Sequence, residues 1–375
     1  MLVTVPSQQE TSERRVAITP DVALRLVDRG HGVAVEFGAG VPAGHDDSAY
    51  KAVGAEIVDN ERAWCGDLVA TVGRPSAGTT VGGALLGLLQ PFDDPAGLAV
   101  LAASGATLFA FEAVPRTTRA QVVDALSSQA TVLGYRGALE AAARIDRLFP
   151  MLTTAAGTIR PSKVLVLGAG VAGLQAIATA RRLGAAVSAF DVRAEAAEQV
   201  RSIGAAFIEL DAPAQDASAS DGYAREVDAD AQARIVAGLV PHVAAADAVI
   251  TTVAIPGRRS PLMIDDAMVA SMRRGAVIVD LAAGAGGNCS ATQPGRTIDV
   301  DGVTIVGDTD LVSRVAGDAS AMLARNVAAF VELLTGDDGS FVTDWDDDIV
   351  AESCVARDGV LVHSRLVDAP AEEAP

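Results

Sequence analysis

Short apolar runs alternate with amphipathic stretches from one end of the chain to the other, the order expected of strands and helices taken in turn. In the first half this pattern predicts strands at residues 2–5, 32–36, 56–58, 68–72 and 106–111, with helices at 20–29, 48–53, 82–89 and 95–104. Thr19-Pro20-Asp21 starts the first helix, with Thr19 as N-cap and proline at the first helical position, and Gly30 stops it. A long helix is expected at 132–148. In the second half, strands at 164–167, 206–209, 248–253 and 276–281, and one ending on Asp191, alternate with helices at 172–183, 194–203, 231–245 and 265–272. A helix at 316–334 crosses back to the first domain, and 335–375 supplies a closing hairpin. The expected fold is α/β: two doubly wound Rossmann-like domains with a nucleotide cleft between them, one of residues 1–127 completed by 325–375, the other of residues 128–324.

Only the second half carries a phosphate-binding glycine loop. The apolar run Val164 to Leu167 leads into Gly168-x-Gly170-x-x-Gly173, an amphipathic helix follows, and Asp191 lies 18 residues beyond the last glycine. This is a βαβ dinucleotide fingerprint in its proper context. Gly168 allows the tight turn, Gly170 lets the backbone approach a pyrophosphate, and Gly173 lets helix and strand pack closely, while the helix N-terminus offers free N–H groups. A carboxylate at Asp191 accepts hydrogen bonds from the ribose hydroxyls and repels a 2′-phosphate, which selects NAD(H). Arg193 is the counter-signal, because an arginine near this position can hold a 2′-phosphate.

Two polar stretches stand apart from the α/β rhythm. In the first, Arg116, Gln121, Asp124 and Ser127 cluster where a loop passes into a helix; they read either as helix capping with a solvated start or as a constellation facing the nucleotide. The second, residues 211–234, is rich in Ala, Ser and Asp, contains Gly222-Tyr223, and has the length of a lid.

Charge and composition narrow the function. Forty-eight acidic against 29 basic residues leave a net charge of −19, which argues against nucleic acid and anionic lipid as partners. Only Lys51 and Lys163 among the basic residues are lysines; the acid excess suits a solvated surface, or a protein adapted to a high-salt cytoplasm. Cys65, Cys289 and Cys354 are odd in number and lack metal-ligand spacing, and the acids at 337, 338, 344 and 346–348 have no converging histidine, so no metal is expected. The N-terminus reads as a strand rather than a secretory signal, and no stretch is apolar enough to span a membrane.

With these residues placed, the chain resembles the family that contains alanine dehydrogenase and the NAD(H)-binding subunit (alpha, domain I) of proton-translocating NAD(P) transhydrogenase. The resemblance runs nearly end to end: Glu13-Arg14-Arg15-Val16-Ala17-Ile18-Thr19-Pro20, Arg119-Ala120-Gln121, Leu126-Ser127-Ser128-Gln129, the glycine loop, Asp191-Val192-Arg193, Gly222-Tyr223-Ala224, Gly286-Gly287-Asn288-Cys289 and Ser313-Arg314-Val315-Ala316. It implies that Arg116, Gln121 and Asp124 lie beside the nicotinamide, that Ser127 contacts its end, and that Gln121 meets the NADP(H) domain of a partner subunit. It also implies that Val171 and Ala254 line the adenosine site and that Tyr223 closes over bound nucleotide. The implied enzyme is a Re/Si-specific transhydrogenase. In it, a homodimer of this chain docks peripherally on the cytoplasmic membrane face, through a transmembrane subunit and an NADP(H)-binding subunit.

The departures favour transhydrogenation over the dehydrogenase. An alanine dehydrogenase is expected to carry a lysine in a K-x-K-E-P-like segment and a histidine shortly after; here the segments read Thr71-Val72-Gly73-Arg74-Pro75 and Leu89-Gln90-Pro91. Oxidising an amine needs a base for its proton. Hydride exchange between two nicotinamides needs only proximity and alignment. Gly284 stands where relatives often have an acid and Val312 where they often have proline. Two alternatives stay open: an alanine dehydrogenase-like amino-acid dehydrogenase with relocated acid and base, and an NAD(H)-sensing subunit without turnover.

Overall fold

The computed structural model describes residues 1–8, 12–210, 228–255 and 257–367. The chain divides into two units, Met1–Gln129 with Val312–Pro375, and Ala130–Leu311. In the first, β1 (Leu2–Val5), β2 (Gly32–Glu36), β3 (Glu56–Val58), β4 (Leu68–Gly73), β5 (Ala84–Leu88) and β6 (Thr107–Ala110) are parallel, in the order β3-β2-β1-β4-β5-β6. The chain winds outward from β1 in both directions, and buried Val, Leu and Ala side chains pack helices onto the two faces.

One local expectation is corrected here. The helix expected at 82–89 is the strand β5, buried between β4 and β6. A short run apolar on every side fits a buried strand and a buried helix equally, so periodicity cannot separate them. What decides is the sheet: a Cβ on Gly83 would sit 2.5 Å from the carbonyl of Gly66, an approach that only glycine permits beside β4. Thr19 has the extended backbone of an N-cap before the helix Pro20–Asp28, but its hydroxyl donates to the Asp21 carboxylate and caps no backbone N–H.

The helix expected at 132–148 begins earlier, as Ala125–Arg144, because Asp124 caps it, and it spans the division between the units. The second unit opens with a hairpin, β7 (Leu152–Thr154) and β8 (Gly157–Ile159). Its main sheet contains β9 (Lys163–Leu167), β10 (Ala186–Phe190), β11 (Ala206–Phe207), β12 (Ala248–Thr251), β13 (Val277–Asp280), β14 (Thr297–Val300) and β15 (Val303–Val306), in the order β11-β10-β9-β12-β13-β15-β14. All neighbours are parallel except the β14–β15 hairpin. The order reverses beside β9, so a crevice opens at the carboxyl ends of β9 and β12. Of the stretch expected as a lid, residues 229–234 belong to the helix Ala229–Ala245, whose N-terminus Asp228 caps through the Ala231 N–H at 2.7 Å. Gly222 and Tyr223 lie outside the described residues.

The return to the first unit begins at Val312 rather than 325. All of the helix Ala316–Leu333 belongs there, because Leu323, Val327, Phe330 and Val331 are buried in that unit's core. β16 (Cys354–Arg357) then pairs antiparallel with β6, and β17 (Val360–Leu361) with β16, so the closing hairpin extends the first sheet to eight strands. Among the described residues no helix is long and apolar enough to cross a membrane.

Candidate functional site

The fingerprint turn joins β9 to the helix Val171–Arg182, and its three glycines answer to different constraints. Gly168 has φ +94, and a Cβ there would lie 2.6 Å from the Thr252 hydroxyl. A Cβ on Gly173 would lie 1.9 Å from Gly168 O. Gly170 has φ −73 and nothing within 4 Å of where its Cβ would sit, so neither backbone nor packing requires glycine. Open space remains at the head of the helix, where the N–H groups of the first turn have no intrahelical acceptors. A diphosphate fits that combination. The helix Ala125–Arg144 presses on the same turn, since a Cβ on Gly134 would fall 2.0 Å from Ala172 O.

Asp191 follows β10 directly and its side chain is only 6% exposed. Its Oδ2 accepts the Ala169 N–H at 2.7 Å, tying the strand end to the glycine turn. Arg193 donates to the same carboxylate from its backbone N–H at 2.9 Å, from Nε at 3.0 Å and from Nη2 at 3.0 Å. Hydrogen bonding to Asp191 raises the guanidinium pKa further. The two residues that gave opposite signals in the sequence are thus one ion pair. Val192 is half-buried against the core, while Val171 and Ala254 are exposed.

The carboxyl ends of β12 and β13 carry a polar network that spacing alone did not reveal. Asp280 is fully buried and accepts five hydrogen bonds. Its Oδ1 takes the Thr251 hydroxyl at 2.9 Å and the Ala282 N–H at 3.0 Å; its Oδ2 takes the Asn288 N–H at 2.7 Å, the Cys289 N–H at 3.1 Å and the Thr292 hydroxyl at 2.7 Å. Asn288 in turn accepts the Val253 N–H at 3.1 Å and donates to Val253 O and Pro261 O, both at 2.8 Å. The Thr252 hydroxyl donates to Gly168 O at 3.1 Å. A buried acid ending a parallel strand was the one signal available, and it marks the loops that hold Val253 and the glycine turn in place.

The other predicted residues fall in the first unit. Arg116 and Gln121 are exposed, Asp124 and Ser127 half-buried. Asp124 Oδ1 accepts the Ser127 N–H at 2.8 Å and Oδ2 its hydroxyl at 2.6 Å, so the capping reading of this stretch holds for these two. The turn Arg119–Val123 is fixed from behind: the buried Asn326 donates to Val122 O at 2.9 Å and accepts the Ser128 hydroxyl at 2.8 Å. Glu112 accepts the Leu89 and Gln90 N–H groups, and burial pushes its carboxyl up to about 7.

Arg119 forms a bidentate pair with Asp347, at 2.6 and 2.8 Å, and also reaches Asp348. The acidic cluster, expected to be a solvated face, therefore has one half-buried member that works structurally, while Asp337, Asp338, Asp344, Asp346 and Asp348 are exposed. The Arg119 guanidinium holds the Asp347 carboxyl at about 2, below its ordinary 3.8. A depressed folded-state pKa contributes stability that is complete above the ordinary value and is lost as pH falls toward the folded one. Asp347→Asn keeps the helix cap but loses the charge. We expect it to lower the urea midpoint at about pH 6 and to matter progressively less on acidification toward about pH 2.5. A constant gap between the two proteins over that range would discount the pairing.

Residues 4–133 match the family model of the alanine dehydrogenase/PNT N-terminal domain, and residues 137–364 that of its C-terminal domain. An NAD(P) transhydrogenase subunit alpha chain of Rhodospirillum rubrum is 41% identical over 379 residues, covering 98% of this chain and 99% of its own. The NAD(P) transhydrogenase subunit alpha of Cereibacter sphaeroides is 42% identical over 370 residues, covering 96% of this chain and 71% of its own. The alanine dehydrogenase of Bacillus subtilis is more distant, 30% identical over 295 residues, 76% of this chain and 72% of its own. Among solved structures, a transhydrogenase from Sinorhizobium meliloti superposes with a TM-score of 0.84 at 37% identity, covering 97% of this chain and 99% of its own.

Proposed function

The chain belongs to the alanine dehydrogenase/PNT family, and from that footing we propose that it is the NAD(H)-binding subunit of an NAD(P) transhydrogenase. Hydride passes directly from NADH held here to NADP⁺ held on a partner subunit, and membrane partners couple the exchange to proton translocation. Gly168, Gly170 and Gly173 receive the diphosphate, Val171, Asp191, Val192, Arg193 and Ala254 the adenosine half, and Gly222 and Tyr223 the closing contact. Arg116, Gln121, Asp124 and Ser127 align the dihydronicotinamide. Two copies of the chain pair and dock on the cytoplasmic face of the membrane.

The observation that carries this reading over an amino-acid dehydrogenase is the state of the two segments where that activity needs its acid and base. Arg74, the cation of the first segment, is bound to Asp94 through both the carboxylate, at 2.5 Å, and the backbone carbonyl, at 3.1 Å. Gln90 stands in the second, and Glu112 beside it, its carboxyl pushed up to about 7 by burial, accepts one backbone N–H on each oxygen. Hydride exchange requires none of these groups.

The test mixes the chain with a transhydrogenase NADP(H) domain and follows NADH-dependent reduction of a nicotinamide analogue, with alanine and pyruvate as controls. Gln121→Ala is expected to slow hydride transfer by about tenfold or more, since misalignment alone carries such losses, while NADH affinity stays within about twofold. An unchanged rate removes Gln121 from the alignment. Oxidation of NADH by pyruvate and ammonium without any partner would replace the whole reading with the dehydrogenase.

A further inference from the structure

We propose that Asn326 is a positioning residue for hydride transfer: its side-chain amide fixes the turn Arg119–Val123 and with it the orientation of Gln121. The proposal rests on the reading of Gln121 as a group that aligns the dihydronicotinamide.

The turn does little to hold itself. It is 3₁₀, with the poorer hydrogen-bond geometry of that form, and its bonds are long, 3.4 Å from Gln121 N to Thr118 O and 3.3 Å from Asp124 N to Gln121 O. Ala120 and Val123 are buried, whereas Gln121 and Val122 are exposed. The carbonyl that follows Gln121, that of Val122, is met from the core by Asn326 Nδ2 at 2.9 Å.

Asn326 shares the buried face of the helix Ala316–Leu333 with Leu323, Val327 and Phe330, where an apolar side chain would pack without the desolvation cost of an amide. Nor is the amide free to turn over. Arg15, paired with Glu13, can only donate, and its Nη1 gives to Gln129 Oε1 at 2.9 Å. That leaves Gln129 Nε2 to donate to Ser128 Oγ at 3.2 Å. Ser128, with the Ala125 carbonyl farther off at 3.1 Å, gives its proton to Asn326 Oδ1 at 2.8 Å. At the other end the Val122 carbonyl can only accept. Both ends therefore demand one orientation, with the amide oxygen toward Ser128 and the nitrogen toward Val122. A run of polar side chains from Glu13 to Asn326 thus presents one donor to one backbone oxygen beside Gln121, which packing of the helix does not require.

The experiment follows single-turnover reduction of thio-NADP⁺ on a supplied transhydrogenase NADP(H) domain at saturating NADH, and measures NADH dissociation constants by fluorescence. The full chain is compared with Asn326→Leu, Ser128→Ala, Gln121→Ala and the combination of Asn326→Leu with Gln121→Ala. Asn326→Leu, which leaves the Val122 carbonyl unmet, is expected to slow transfer by about tenfold or more with NADH affinity within about twofold. Ser128→Ala, which keeps the bond to Val122, is expected to slow it less. Without Gln121, Asn326→Leu is expected to cost little further, because the turn then carries nothing to align. An unchanged rate in Asn326→Leu, a loss in NADH affinity instead of rate, an equal loss in Ser128→Ala, or the same loss with and without Gln121 overturns the proposal. Each of these outcomes leaves the proposed function standing. Asn326→Ala serves in every comparison if the leucine variant fails to fold. Gln121→Ala and the unaltered chain are read first: an unchanged rate in the former, or no transfer by the latter, sinks the reading on which Asn326 depends, and its assigned role falls with it.

Discussion

Gly173→Ala is expected to weaken NADH binding severely and to destabilise the second unit, whereas Gly170→Ala, three residues away, is expected to weaken binding and leave stability nearly untouched. At Gly173 the added carbon would sit 1.9 Å from Gly168 O, about half of a normal contact, and the obstacle is backbone that cannot rotate away. The helix start has to lift off β9, which pulls the first-turn N–H groups out of line with the turn. A loss of about 3 kcal/mol or more in stability is the scale for such overpacking, with affinity falling by about a hundredfold. Gly170 has an ordinary φ of −73 and nothing within 4 Å of a new Cβ, so its alanine variant should unfold within about 0.5 kcal/mol of the parent. Urea unfolding and NADH titration on both variants check this. Equal stability losses would mean that the space before Gly170 is not reserved for a ligand.

Asp280→Ala is the second large effect. It strips the acceptor from two hydroxyls and three backbone N–H groups in a buried position. Each buried donor left unmade costs about 1–3 kcal/mol, partly recovered by water entering the cavity, so a net loss of about 3–5 kcal/mol is expected. Asp280→Asn should fare little better, because its amide turns one acceptor oxygen into a donor that faces other donors. Chemical denaturation followed within the second unit measures the loss. A change below about 1 kcal/mol would show that the loop at 282–292 is held by other contacts.

Much of the second unit was legible because its signals are local. β9, the glycine turn, the helix Val171–Arg182 and β10 follow from an apolar strand, three glycines at fixed spacing and one terminal acid. Strand β5 was not legible, because its apolar run has no polar face to set a period. The hairpins β7–β8 and β14–β15 were not either: strands of three and four residues pack too little surface to impose a pattern. The candidate site divides along the same line. The glycines and Asp191 could be named from spacing, but the Asp280 and Asn288 network joins residues whose partners lie as far as 35 positions away, and no period encodes that. Arg193 could be named, yet its pairing with Asp191 depends on a rotamer. The polar stretch before the helix Ala125–Arg144 supported capping and site readings equally, and for Asp124 and Ser127 one pair of hydrogen bonds supplies the cap without excluding the second role.

The discontinuity of the first unit has a consequence for biosynthesis. Translation delivers β1 to β6 first, but their sheet then has a bare edge at β6 and no helix Ala316–Leu333 in its core until more than 200 further residues have been made. The second unit, contiguous from Ala130 to Leu311, is complete before that. The half that starts first thus finishes last, and through that interval the unpaired β6 edge is an invitation to association that a nascent chain must be shielded from.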